Sequence, residues 1–366
     1  QAQALEQITT RRLSVMTGRA GTGKTSTLGA LLQCETIKRS GVLLLAPTGK
    51  ARVRLNRAVR QNSALTVAQF LYRQGAYDVA LQRTKPDALI KEKYAKERTV
   101  VIDECSMLTM NDLAAIFNVL DLGHVQRIIL VGDPNQLPPI GVGRPFADIC
   151  ASLEAARESA DEETRELGDA LGRLTIEVRT LQTGEPSDLL KLASWFTREP
   201  QPVDADDIFS KLDANLPLND LEYHFWQEPE QLYAQLFSLF QAHFGLASPD
   251  DYKAFNRAIG INGDDSKSVE GFQILSPVRM EPHGVYALNH LIQKQYRSGL
   301  KRKPLFGDEK IGLYDKVIQI RNQERFAYNP STRQKERDYV ANGEIGLATN
   351  SNGTYVNVEF ADHPGV

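Results

Sequence analysis

The run Gly18-Arg19-Ala20-Gly21-Thr22-Gly23-Lys24-Thr25 fits the pattern G-x-x-x-x-G-K-[ST] in full. It lies between a short apolar run at 13–17 and a helical pattern with Leu28, Leu31 and Leu32 on one face. The chemistry needs these residue types. Glycines let consecutive backbone N–H groups curl around phosphate oxygens, and a helix N-terminus adds its positive dipole end. Lys24 then reaches the β and γ phosphates, and the Thr25 hydroxyl ligates Mg²⁺. Gly18, Ala20, Gly21, Thr22, Gly23, Lys24, Thr25 and Ser26 are the expected contacts of a bound ATP.

Asp103-Glu104 follows the aliphatic run 99–102 and would stand at the carboxyl end of a buried strand, where α/β folds bind ligands. Asp103 is expected to hold Mg²⁺ through water, and Glu104 to take a proton from an attacking water. Such a pair favours hydrolysis over phosphoryl transfer to a metabolite. Gly132-Asp133-Pro134-Asn135-Gln136-Leu137-Pro138-Pro139 follows the next aliphatic run. The Gln136 amide can both donate and accept, so it can sense a γ-phosphate, and the prolines stiffen what comes after it.

These residues need a frame. The run 13–17 is a short apolar strand, 42–46 is continuously aliphatic as a strand buried on both faces is, and 99–102 and 128–131 are further runs of that kind. Helical patterns separate them, one carrying Leu113, Ile116, Phe117 and Leu120. Alternation of this kind implies an α/β fold with a parallel sheet covered on both sides. Residues 154–169 are mostly charged and read as a solvated helix or loop. Residues 186–260 read as short helices broken by prolines, with Trp195 and Trp226 in their core. Past residue 310, the runs 311–313, 317–320 and 355–360 read as antiparallel strands, with an Asn352-Gly353 turn before the last.

Of the 366 residues, 42% are hydrophobic and 24% charged, the mix of a globular protein, which excludes a disordered or disulfide-scaffold chain. The net charge of −3 advertises no nucleic-acid partner, so any such contact must be a local groove. Apolar runs are too short to span a membrane. Three scattered cysteines, Cys34, Cys105 and Cys150, suit a reducing compartment. With Gln1 first and no signal peptide following, the sequence reads as a piece of a longer cytoplasmic protein.

In order, these segments resemble the motifs of superfamily 1 helicases, most of all the RecD-like branch. Gly18 to Thr25 resembles motif I, Ala46-Pro47-Thr48-Gly49-Lys50-Ala51 motif Ia, Val101-Ile102-Asp103-Glu104-Cys105-Ser106-Met107 motif II, and Val131 to Pro138 motif III. Ile274-Leu275-Ser276-Pro277-Val278-Arg279 looks like the opening of a second motor domain. Phe306-Gly307-Asp308 and Asn342-Gly343-Glu344-Ile345-Gly346 look like that family's inserted SH3-like β-barrel. The resemblance implies a RecA-like P-loop ATPase domain over 1–182, the start of a second over 183–303, and the barrel insertion over 304–366. Motifs V and VI would lie beyond Val366.

The resemblance also implies roles. Gln1, 17 residues before Gly18, stands where the family reads adenine, with Gln3 as the fallback. Pro47, Thr48, Lys50 and Thr66 would touch a single strand. Ala68 replaces the histidine that accompanies Thr66 in the family. Arg179 would meet the γ-phosphate, with Thr180 in place of the usual glutamine. The basic stretch from Arg297 to Lys303 is either a nucleic-acid contact or a solvated linker. The implied activity is ATP-driven 5′→3′ translocation on single-stranded DNA in repair or recombination, alone or with other subunits of a recombination nuclease. An RNA helicase of the same superfamily, and a P-loop ATPase or kinase without nucleic acid, are the competing readings.

Overall fold

The computed structural model describes residues 11–19, 21–60, 63–174, 187–197, 201, 204–261, 269, 272–297, 305–329, 334–340, 342–351 and 354–360. Gln1, Gln3, Ala20, Arg179, Thr180, residues 298–303 and the Asn352-Gly353 turn lie outside them. The chain divides into two compact units, Gln1–Glu222 and Tyr223–Val366.

In the first unit the alternating pattern folds as its periodicity predicts. β1 (Leu13–Gly18), α1 (Lys24–Leu31), a short α2 (Glu35–Arg39) and β2 (Val42–Ala46) are followed by α3 (Gly49–Val59). Next come β3 (Leu65–Thr66), α4 (Val67–Arg73) and a small hairpin of β4 (Tyr77–Asp78) with β5 (Arg83–Thr84). The remaining elements are β6 (Thr99–Ile102), a tight turn at Cys105–Met107, α5 (Met110–Val119), β7 (Arg127–Gly132), α6 (Pro145–Arg157), α7 (Glu162–Gly168) and β8 (Leu171–Leu174). Two short helices, α8 (Asp188–Ser194) and α9 (Asp207–Asp213), follow among the described residues of the unit.

Six strands form one sheet in the order β3-β2-β6-β7-β1-β8. Every pairing in it is parallel. Successive side chains of a strand point to opposite faces, so each aliphatic run fills two cores at once. Val15, Leu43, Leu45, Val100, Ile102, Ile128 and Leu130 pack with α4, α5 and α6. Met16, Leu44, Val101, Ile129 and Val131 pack with α1, α2 and α3 on the other side. Each fully buried side chain of this size contributes about 1.5–3 kcal/mol. On the second face, α1 and α3 approach so closely that a Cβ at Gly29 would stand 2.9 Å from the Ala58 carbonyl oxygen.

The charged segment 154–169, read as a solvated helix or loop, holds the end of α6, a turn, and α7. Trp195 is half-buried, edge-on to Phe209, and its Nε1 donates to the Ala205 carbonyl at 3.2 Å. Trp226 departs from its expected place in the core: it is 37% exposed and rests against His283.

The second unit has α10 (Pro229–Phe244), α11 (Tyr252–Ala258) and α12 (Val285–Arg297). Its core is aromatic, with Phe255 stacked on Tyr296 at 3.8 Å between ring centroids. Of the basic stretch 297–303 only Arg297 is among the described residues. It is half-buried, bonded to Asn256 and to the Tyr314 carbonyl, and paired with Asp315. Antiparallel strands follow, as expected for this region. β9 (Lys316–Ile318), β12 (Ile345–Ser351) and β13 (Val356–Phe360) form one sheet, and β10 (Gln323–Asn329) pairs with β11 (Gln334–Val340). The run 311–313 is not a strand, because Ile311 bridges only to Phe306. Among the described residues these strands make a sheet and a separate hairpin. The segment 274–279 is irregular, and Leu275 is 91% exposed. No helix among the described residues is long and apolar enough to cross a membrane.

Candidate active site

Because the sheet is parallel, the carboxyl ends of its strands share one edge. The segments after β2, β6, β7 and β1, which are neighbours in the sheet, all leave from that edge. The four sequence motifs are those segments.

After β1, Gly21 and Gly23 take φ of +84° and +82°, a region strained for L side chains. At Gly18 a Cβ would come within 2.5 Å of Thr22 Oγ1, so the first glycine serves close packing instead. Gly23 is also the N-cap of α1. No side chain caps that helix end, and its first turn holds no acidic residue. By contrast, Thr48, Thr66 and Thr109 cap α3, α4 and α5 with their hydroxyls. The orphan N–H groups of α1 are left for an anion.

Lys24 Nζ donates to the carbonyls of Gly18 at 2.6 Å and Arg19 at 3.1 Å, which folds the ammonium over the loop. Burial lowers its pKa. The carboxylates of Asp133, Glu104 and Asp103 oppose that shift, and Arg54 adds to it. Thr25 is half-buried and Ser26 exposed.

Asp103, at the end of β6, is 4% exposed, and its pKa is pushed up to about 6 by burial and then by the Glu104 charge. The Glu104 N–H donates to Asp103 Oδ1 at 2.9 Å, and the charges of Arg54 and Lys24 also offset the rise. A divalent cation beside this carboxylate would keep it ionised, so its environment fits Mg²⁺. Among the described residues no group of three or more His, Cys, Asp or Glu could hold a metal. Glu104 adopts φ +52°, an uncommon left-handed backbone for this residue type. Its Oε1 lies 3.4 Å from Arg54 Nη1, while its Oε2 is buried without a hydrogen-bond partner.

After β7, Asp133 is 6% exposed and its Oδ1 accepts from the Asn135 N–H at 3.0 Å. Its carbonyl accepts from the Gln136 N–H at 3.2 Å, which sets the Gln136 side chain at the surface. A cavity of about 220 Å³ opens here, lined by Ser106, Gln136, Pro138, Pro139 and Arg144 among others. The Ser106 hydroxyl is buried and has no hydrogen-bond partner.

After β2, Pro47, Thr48 and Lys50 are half-buried at the start of α3, and Thr48 Oγ1 accepts from the Ala51 N–H at 3.2 Å. Thr66 corrects the expectation of a strand contact. It is 1% exposed, its hydroxyl accepts from the Gln69 N–H at 3.1 Å, and Gln69 Oε1 accepts from the Thr66 N–H at 2.8 Å. The Thr-x-x-Gln spacing is a capping box that turns Thr66 inward.

The fold thus brings Lys24, Asp103 and Glu104 together, and adds three residues that the sequence reading did not assign. Asp133 ends a buried strand just as Asp103 does, so the same rule would have found it. Arg54 is one helical turn beyond Lys50, and nothing in that spacing names Glu104 as its partner. Ser106 carried no signal.

Fold and site together define a P-loop nucleoside triphosphatase with a RecA-like sheet. Residues 1–192 match the AAA domain family, and the chain belongs to that family. The ATP-dependent RecD2 DNA helicase of Deinococcus radiodurans is 36% identical over 148 residues, 40% of this chain and 19% of that protein. The RecBCD enzyme subunit RecD of Mycobacterium tuberculosis is 30% identical over 233 residues, 59% of this chain and 40% of that protein. Among solved structures, the Pif1 helicase from Candida albicans matches with a TM-score of 0.39 and 18% identity, covering 98% of this chain and 74% of that one. The RecD-like resemblance of the motifs is borne out by the RecD2 and RecD relatives. The chain spans 40% or less of the length of the curated relatives named here.

Proposed function

We propose that the protein is an ATP-dependent DNA helicase, translocating 5′→3′ on single-stranded DNA. The observation that carries this reading is the gathering of Lys24, Asp103, Glu104 and Asp133 at one sheet edge, beside an uncapped helix start. In this reading the α1 N–H groups and Lys24 grip the phosphates of ATP. Thr25, and Asp103 through water, would hold Mg²⁺, which supplies positive charge against the phosphate oxygens. Glu104 takes a proton from water, and its unpartnered Oε2 is the free acceptor for it. Gln136 donates to the γ-phosphate and reports its loss through the stiff Pro138-Pro139 segment. Pro47, Thr48 and Lys50 hold the strand at the neighbouring strand end, through phosphate contacts that read no sequence. Gln1 and Arg179 keep their proposed contacts with adenine and γ-phosphate. The RecD relatives are named as subunits of an enzyme, which supports partner subunits in this reading; a role in recombination or repair, in the cytoplasm, is carried over from the motif resemblance.

The test is ATP turnover in the full-length protein with single-stranded DNA, RNA or neither. Stimulation by DNA above RNA, with strand displacement, is expected. Lys24→Ala should remove turnover from a protein whose circular dichroism and melting are unchanged. Near-normal turnover in that variant would overturn the site.

A further inference from the structure

α3 carries positive charge where a helix gains nothing from it. Residues 36–77 hold eight basic side chains and no acidic one, in a chain whose net charge is −3. Five of the eight, Lys50, Arg52, Arg54, Arg57 and Arg60, lie on α3 or at its end. A helix start favours anions, yet the first four residues of α3 include Lys50 and Arg52 and no acid. At the other end Arg60 takes φ +54°, the left-handed cap conformation that suits glycine. The macrodipole accounts for Arg57 in the last turn. It accounts neither for the cations at the start nor for an arginine in a glycine's place.

The charge also has a direction. Ala51, Leu55 and Val59 face the core, and Arg54, Arg57 and Arg60 are exposed on the other side of the helix. Lys50, Arg54 and Arg57 follow one another at helical spacing and Arg60 continues the row, about 15 Å from end to end. Lys38 of α2 is exposed on the same side of the sheet, where its neighbour Ile37 shares a core cluster with Leu55 and Val59. Because β2 and β3 are parallel, α3 between them runs back from the sheet edge that holds the site. Lys50 stands at that edge. Arg57 and Arg60 are about two and three turns further along, outside the groove where Pro47, Thr48 and Lys50 would hold a single strand.

A row of cations on a rigid helix matches a rigid row of anions. Duplex DNA carries one charge per about 1.7 Å of its axis, twice the density of either strand alone, and its phosphates keep a fixed register. We propose that the outer face of α3, through Arg57 and Arg60, is a second nucleic-acid surface that binds the phosphate backbone of the duplex adjoining the gripped strand. The proposal rests on the nucleic-acid reading of the site and adds a partner that the strand groove does not touch.

The experiment titrates full-length wild type and the double variant Arg57→Ala/Arg60→Gly against labelled DNA by fluorescence anisotropy, across about 50–200 mM salt. Three DNAs are compared: a bare single strand, the same strand as the tail of a duplex, and that tailed duplex with a second unpaired tail. The double variant should bind the tailed duplex about ten- to thirtyfold more weakly, with a salt slope smaller by about 1.8, the worth of two duplex phosphates. Its affinity for the bare strand and its basal ATP turnover should not change. Arg57→Lys/Arg60→Lys should recover most of the loss, because a backbone phosphate accepts a point charge. Arg60→Gly alone relieves the left-handed backbone, so its melting temperature should hold or rise while tailed-duplex binding still weakens, which a merely structural arginine would not give. Tailed-duplex binding kept in full, or lost equally on the bare strand, overturns the proposal. A loss confined to the DNA with the second tail overturns it in favour of the displaced strand. In each of these cases the helicase reading stands, whereas a wild type that binds no polynucleotide overturns that reading as well.

Discussion

Two adjacent carboxylates, Asp103 and Glu104, share one peptide bond but not one environment. Asp103 is buried, with its pKa raised to about 6, whereas Glu104 reaches Arg54 and keeps an unpartnered oxygen. Different variants should therefore fail differently. Glu104→Gln keeps the shape and loses the proton acceptor, so nucleotide binding should persist while turnover falls by about 10²-fold or more. Asp103→Asn should instead weaken Mg²⁺-dependent nucleotide binding. Titrating a fluorescent nucleotide with and without Mg²⁺ beside turnover separates the two, and identical phenotypes would refute the division of labour.

At the scale of elements, the segment from Asp133 to Pro139 is a short stiff arm on the end of β7. Its root is pinned by the Asn135 and Gln136 N–H groups bonding back to Asp133, and its tip is exposed. An arm of this kind transmits a contact without contributing much to stability. Gln136→Ala should therefore damage strand displacement about ten- to hundredfold more than ATP binding, the worth of a hydrogen bond to a charged group. DNA-stimulated turnover beside strand displacement measures the ratio, and equal small losses would reduce Gln136 to a surface residue. The elements that carry these arms were legible because a strand buried on both faces must be an unbroken aliphatic run. Other elements were hidden for physical reasons. β10 and β11, with the sequences QERFAYN and QKERDYV, contain no continuous aliphatic run, and four consecutive charged residues open β11 after Gln334, so the apolar-run signal that marks the large sheet is missing. β3 has two residues, and its Thr66 serves as a helix cap. Within the site, the phosphate loop and the carboxylate pair are local patterns. The Arg54–Glu104 pair joins positions 50 residues apart and exists only once α3 lies across the end of β6.

For the whole molecule, each compact unit has its own core: two aliphatic clusters flank the large sheet, and an aromatic cluster fills the second unit. Heating should therefore give two transitions, with a non-hydrolysable ATP analogue and Mg²⁺ raising only the one that belongs to residues 1–222. At a hundredfold excess over Kd the stabilisation should be about 2.7 kcal/mol, and it should vanish in Lys24→Ala. Calorimetry showing one transition, or both shifted, would reject this partition. The strand order also has a consequence during synthesis. β1 is made first, yet its two neighbours are β7, where Leu13 meets Ile128, and β8, where Val15 meets Leu171. At ordinary elongation speeds the ribosome needs on the order of ten seconds to reach that last strand. Until β7 is made β1 is without either neighbour, and it lacks β8 to the end of that interval, so the nascent chain must be shielded before it can own a nucleotide site at all.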